Sequence, residues 1–156
     1  MQDAAVNAVN TAFKVDVIDR VIFSRWLRPP TKEDIAAMES AMATAHKRLN
    51  GPMLLYVGSI DSKVKVPNAE ERNNLNMLLN AARKYCEVAH VIIEGSDLQN
   101  SLQRVIISGM LIITRTYDNY LSVHKSVEST ASDLSKRLHK DATPLIRAAR
   151  DRGLVT

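Results

Sequence analysis

Met53-Leu54-Leu55-Tyr56-Val57-Gly58-Ser59-Ile60 is the stretch on which the fold turns. It is a compact apolar run with Asn50-Gly51-Pro52 before it and the polar residues 61–67 after it. The run is too short for a buried helix, and its apolar side chains do not alternate as those of a half-exposed strand do. A strand covered on both faces carries this pattern, and such strands belong to parallel sheets with helices packed against them. The expected fold class is α/β.

Upstream, Thr31 opens a helix. Its hydroxyl can cap a free backbone N–H, and Glu33 and Asp34 occupy the first turn, where the helix dipole favours negative charge. Ile35, Met38, Met42, Ala45 and Leu49 then fall three or four residues apart and draw one apolar stripe, which Asn50-Gly51-Pro52 ends. Before Thr31, residues 12–18 alternate around Phe13, Val15 and Val17, and residues 21–27 place Val21, Phe23 and Arg25 on one face. The Asp19-Arg20 break suggests a hairpin, although it lacks the glycine of the favoured tight turns. Pro29-Pro30 stops the second strand.

Downstream, Asn68 with Glu71 three residues on resembles a capping box. Leu75, Leu78, Leu79, Ala82, Tyr85 and Cys86 mark the buried face of the helix that follows. Cys86, the single cysteine, is therefore expected on a helix as a buried, inert thiol. Residues 88–94 (VAHVIIE) read as the next strand, and Gly95 with Ser96 or Asp97 turns the chain into a third helix. There Leu98, Leu102, Val105, Ile106, Met110 and Ile113 have helical spacing, while Ile107, Leu111 and Ile112 lie on the other side. A strand over 105–114 is the alternative, and the length and the cap favour the helix. Residues 120–124 form a short last strand, and Val127, Ala131, Leu134 and Leu138 a fourth amphipathic helix. Thr143-Pro144, cap then first-turn proline, begins a short basic helix closed by Gly153.

The expected order is strand-strand-helix-strand-helix-strand-helix-strand-helix plus a terminal helix. That alternation implies a mixed, mostly parallel sheet of about five strands with covering helices in a single domain. A core over residues 12–138 carries a terminal helix at 143–152. With 46% hydrophobic and 24% charged residues the composition is globular and excludes wholesale disorder. No apolar run reaches a membrane-spanning length. Met1 to Asn10 lack the features of a secretory signal, so a cytoplasmic protein is expected.

The net charge of +4 sits in the last 21 residues, which hold six basic and two acidic side chains, against 15 of each before them. Arg147, Arg150 and Arg152 form a basic tail that invites an acidic partner or a nucleic acid. The tail has no aromatic residue on which bases could stack, which argues against single-stranded nucleic acid.

No catalytic, metal-binding or cofactor-binding motif appears. The central strand is not followed by a glycine-rich phosphate loop, no serine lies in a G-x-S-x-G elbow, and His46, His90, His124 and His139 lack metal-ligand spacing. His90 and His124 read as packed or edge side chains of strands. The chain is therefore expected to bind rather than react.

The order of elements resembles the STAS family, the domain shared by sulphate transporters and anti-sigma factor antagonists. Tyr120-Leu121-Ser122-Val123-His124-Lys125-Ser126-Val127-Glu128 is similar to the family's ending, in which a strand runs into a serine-capped helix. The likeness covers residues 12–138. The family's phosphate-accepting motif, Asp-Ser-Ser/Thr-Gly at a helix N-terminus, has its nearest counterpart in Ile60-Asp61-Ser62. Lys63-Val64 replace the second hydroxyl residue and the glycine, and the helix begins later, near Asn68. The resemblance implies a regulatory domain that binds a protein partner through the 61–68 loop and the following helix, without the phosphorylation switch. Asp61, Ser62, Lys63, Asn68, Glu71 and Arg72 are the partner-binding candidates. A related layout in lipid-carrying domains supplies the alternative, an apolar-ligand carrier using the 102–113 helix. That greasy helix is equally suited to a homodimer interface.

Overall fold

Phe13–Ile18 (β1) and Val21–Trp26 (β2) pair antiparallel across Asp19-Arg20. Asp19 takes a positive φ of 58°, so a short polar side chain that tolerates left-handed backbone does the work of the missing glycine. The computed structural model describes residues 13–95 and 120–156. The helix or strand expected within 96–119 lies outside them, and with it the apolar-carrier and dimer surfaces.

Lys32–Leu49 (α1) starts as its sequence dictates. The Asp34 N–H donates to Thr31 Oγ1 at 3.2 Å and the Thr31 N–H donates back to Asp34 Oδ2 at 2.9 Å, a reciprocal capping box with aspartate in the usual glutamate position. Asn50 ends the helix with φ 55°. Leu54–Ile60 (β3) follows, then Ala69–Tyr85 (α2), capped reciprocally by Asn68 and Glu71. Cys86–Ile93 (β4), Leu121–His124 (β5), a 3-10 turn at Val127–Thr130, Ala131–Leu138 (α3) and Thr143–Asp151 (α4) complete the described elements.

The sheet runs β1-β2-β3-β4-β5, antiparallel at β1 and parallel elsewhere. The chain is thus α/β with a mixed, mostly parallel five-stranded sheet, as expected. Both sheet faces are covered. Ile22, Trp26, Leu54, Tyr56 and Ile93 meet Ile35, Met38 and Met42 of α1 and Leu78, Leu79 and Ala82 of α2. The opposite side chains, Val21, Phe23, Leu55, Val57, Val88 and Ile92, meet Val127, Leu134 of α3, Leu145, Ile146 and Ala149 of α4, and Leu154 and Val155.

Two local expectations are corrected. Cys86 is the first residue of β4 and not the last of a helix, because α2 passes into the strand with no intervening turn; it is buried all the same, and burial pushes its thiol up to about 12. Thr143 is the first helical residue of α4 and not its cap. The preceding Asp141 plays the capping part, its Oδ1 accepting from the Thr143 N–H at 3.0 Å and the Thr143 hydroxyl at 2.8 Å.

Met42 is fully buried between α1 and the sheet. Met42→Ala is expected to destabilise the chain by about 2–5 kcal/mol in urea unfolding, while Lys47→Ala on the exposed side of the same helix should change stability by no more than about 0.5 kcal/mol.

Candidate functional site

The parallel strands deliver polar side chains to their carboxyl ends. On β2 the alternation Val21, Phe23, Arg25 keeps one face, and Arg25 comes last, where the apolar layer gives out. Ser59 ends the same face of β3, paired directly with Arg25, and Glu94 follows β4. Arg25 Nη1 donates to both Glu94 oxygens at 2.7 and 2.8 Å and to Ser59 Oγ at 3.2 Å, while Nη2 donates to Asp61 Oδ1 at 2.7 Å. The Ser59 hydroxyl donates to Glu94 Oε2 at 2.9 Å and the Thr156 hydroxyl to the same oxygen at 2.8 Å. Glu94 and Ser59 are buried, so the guanidinium and its two carboxylates form a shielded ionic knot.

That knot fixes the loop proposed from sequence. Asp61 leaves β3 with its N–H donating to Trp26 O at 3.0 Å, and its second carboxylate oxygen accepts the Lys63 N–H at 3.0 Å. Val64 turns inward and is buried, and Asn68 with Glu71 locks the far end by bonds of 2.8 and 3.0 Å. Lys63, Lys65, Val66 and Asn68 are left exposed, Ser62 is half-buried, and Arg72 donates to Pro67 O at 3.4 Å. Of the six candidates, Asp61, Asn68, Glu71 and Arg72 shape the loop, Lys63 faces solvent, and Ser62 is half-buried between Asp61 and Lys63.

Two residues of the basic tail are paired with carboxylates. Arg150 pairs with Glu128 at 2.6 Å and Arg152 with Asp16 at 2.7 Å, so two of its three arginines hold neighbouring elements; Arg147 is exposed on α4.

Beside the loop, on the α1/α2 side of the sheet, lies a cavity of about 60 Å³ lined by Trp26, Tyr56, Ile60, Val64, Leu78 and Leu79 among others. Its wall is stiff. Ser24 Oγ accepts from Trp26 Nε1 at 2.8 Å and shares a 2.6 Å hydrogen bond with Tyr56 Oη, Phe13 stacks on Trp26, and burial raises the Tyr56 phenol above its usual range. The Tyr56 ring lies against Gly58, where a Cβ would stand 2.8 Å from the phenol oxygen.

A second polar group lies on the α3/α4 side, toward the β5 edge. Ala89 and His90 of β4 pair with Leu121 and Ser122 of β5, which brings His90 beside His124. His90 Nδ1 is 2.9 Å from His124 Nε2, His90 Nε2 is 2.7 Å from Asp133 Oδ2 of α3, and His124 Nδ1 is 2.8 Å from Ser129 Oγ. Arg137, one helical turn beyond Asp133, donates its Nε to the same carboxylate oxygen at 2.8 Å and its Nη1 to Glu87 at 2.8 Å; Glu87 also pairs with Arg20. Burial would raise the Asp133 carboxyl, but hydrogen bonds from Arg137 and His90 outweigh it and hold the group below the usual carboxylate range. Burial lowers the His90 imidazole, and burial followed by the neighbouring His90 lowers His124, so both rings are neutral at pH 7. The sequence signalled neither cluster. Arg25 and Glu94 are 69 residues apart and His90 and His124 are 34 apart, and only the strand register joins them.

Among the described residues no group of three or more His, Cys, Asp or Glu side chains is placed to hold a metal ion, and no helix is long and apolar enough to cross a membrane. No family model, curated protein or solved structure matches the chain.

Arg25→Met leaves Glu94 charged and enclosed, and should cost about 3–5 kcal/mol in urea unfolding. The histidines set a pH dependence. Their folded pKa values lie below the ordinary 6.5, so the unfolded chain takes up protons first, and stability that is full above pH 6.5 is lost as pH falls below it. Melting temperature should fall from about pH 7.5 to about pH 5, and the double variant His90→Gln/His124→Gln should flatten that slope. The Asp133 contribution is lost only lower, as pH drops through its ordinary 3.8.

Proposed function

We propose that this chain is a STAS-like regulatory domain of the cytoplasm that binds a protein partner through residues 61–68 and the head of α2. The observation that supports this reading is a loop held from inside and open outside. Asp61 is clamped by Arg25, Val64 is buried, and the Asn68/Glu71 box fixes the exit, so little conformational freedom remains to be lost on docking. Val66 is 44% exposed in that loop, and Leu27 is 50% exposed just after β2, which ends alongside β3. Exposed aliphatic side chains near Lys63 and Lys65 suit the apolar centre and polar rim of a protein interface.

Ser62 sits in the turn with Lys63 and Val64 after it, so no phosphorylation switch is assigned to it. Binding at this surface is constitutive and involves no turnover. The alternative, carriage of a lipid or other apolar molecule by the 102–113 segment, draws on residues outside the described ones. The apolar cavity beside the loop holds about 60 Å³, against the roughly 300–1,000 Å³ of drug-sized ligand sites, so partner binding is the better-supported reading.

Pull-down from cells that make the protein tests this, using the full chain as bait and comparing partners quantitatively. A partner held by the natural chain should be depleted about tenfold or more by Lys63→Glu/Val66→Asp and retained by Arg147→Glu. A partner held equally by all three chains would place the contact elsewhere and overturn the assignment.

A further inference from the structure

We propose that Ser129 is a base-activated nucleophile, able to take an acyl group from an ester through the hydrogen-bonded chain Ser129–His124–His90–Asp133. This goes beyond the partner-binding reading and rests on different residues.

Proton counting along the chain carries the argument. An ionised Asp133 can only accept, and it faces both Arg137 Nε and His90 Nε2, so His90 bears its proton on Nε2. A neutral His90 then has a bare Nδ1, which must accept from His124 Nε2–H at 2.9 Å. A neutral His124 is in turn bare at Nδ1, 2.8 Å from the Ser129 hydroxyl. Each tautomer is fixed by the one before it, and the last bare nitrogen points at an exposed serine. Nucleophile, base and orienting group stand within hydrogen-bond reach, with a second imidazole inserted between base and carboxylate.

The serine has a second polar neighbour. Its Oγ lies 2.8 Å from Ser126 O, and one hydroxyl proton cannot serve both acceptors. With His124 neutral the proton is available to Nδ1. With His124 protonated, Nδ1–H donates to Ser129 Oγ and the hydroxyl turns to Ser126 O. The same heavy-atom positions therefore accommodate both ends of a proton transfer.

In the acylation step Ser129 Oγ bonds to the ester carbonyl carbon as its proton passes to His124 Nδ1. The carbon–oxygen bond to the leaving alcohol breaks, and that alcohol departs with the proton from His124. In deacylation a water gives its proton to His124 and adds to the acyl carbon, and Ser129 Oγ leaves with the proton, which regenerates the chain. His124 is the base, whereas His90 and Asp133 are positioning residues. The charged and titratable groups around the pair are His90 and Glu87 from β4, Asp133 and Arg137 from α3, and Arg20 from the hairpin turn.

Full-length protein treated with p-nitrophenyl acetate tests this, with nitrophenol release followed over time and the acetylated peptide mapped by mass spectrometry. Acetyl on Ser129 is expected, with a rate that levels off above the His124 titration and does not keep climbing with hydroxide. Ser129→Ala should abolish that adduct, and His124→Gln should slow its formation about a hundredfold. Asp133→Leu removes the oxygen that accepts from both His90 Nε2 and Arg137 Nε, so the tautomers are no longer fixed, and it should lower the plateau of the pH profile while circular dichroism stays native. Acetylation confined to lysines, or Ser129 acetylated at an unchanged rate in His124→Gln, would overturn the proposal. Neither result bears on the 61–68 surface, because Ser129→Ala leaves that loop intact.

Discussion

β3 is buried on both faces, and much else in the molecule answers to that. Leu54 and Tyr56 need cover on one side, Leu55 and Val57 on the other, and the strand's neighbours supply only its edges. Parallel pairing with β2 and β4 requires each connection to return along the sheet, and α1 and α2 make both returns over the same face. The opposite face is closed from far along the chain, by the 3-10 turn, α3, α4 and the residues up to Val155. The C-terminal segment is thus half of the core's enclosure. Arginines that look like a basic tail are largely its fastenings, with Arg150 on Glu128 and Arg152 on Asp16.

Both polar clusters lie on the C-terminally covered face, and there is a physical reason for their positions. The apolar layer on that side runs out toward the carboxyl ends of the strands and toward the β5 edge, where side chains at the same alternation must still point inward. Arg25, Ser59 and Glu94 satisfy one another at the first margin, and His90, His124 and Asp133 at the second. A buried charge or imidazole is costly unless its partners are complete, so each cluster also draws in groups from outside the sheet: Asp61 and Thr156 in one, Ser129 and Arg137 in the other. Loop rigidity at residues 61–68 is a by-product of the first arrangement.

Much of the fold was legible in the sequence because it is written locally. The stripe Ile35, Met38, Met42, Ala45, the caps at Thr31 and Asn68, and the two-faced run of β3 each depend on neighbours within a few residues. The hairpin was readable too, except that Asp19 and not glycine takes the left-handed turn. Cys86 was misplaced because Tyr85 and Cys86 continue the apolar rhythm of α2 even as the backbone extends, with no glycine or proline to mark the change. Of the candidate loop, the Asn68/Glu71 box was visible, but the role of Asp61 was not, since its partner Arg25 lies 36 residues upstream. The histidine chain was invisible for the same reason: it joins β4, β5 and α3, and nothing near any one residue announces the others.

The pairing of β3 with β4 contains an irregularity: Leu54 meets Cys86, but Leu55 meets Val88. Glu87 is the extra residue, and it lies outside the core where Arg20 and Arg137 hold it. A strand presents alternate residues to alternate sides, and because the bulge absorbs Glu87, Cys86 and Val88 face opposite sides of the sheet as adjacent residues would. Were Glu87 paired in regular register opposite Leu55, His90 would turn toward α1 and α2 and lose Asp133, whereas removing Glu87 would leave the side of His90 unchanged. The contact of His90 with Asp133 therefore depends on one surplus peptide unit being set aside from the ladder, its side chain held by the same Arg137 that bonds Asp133.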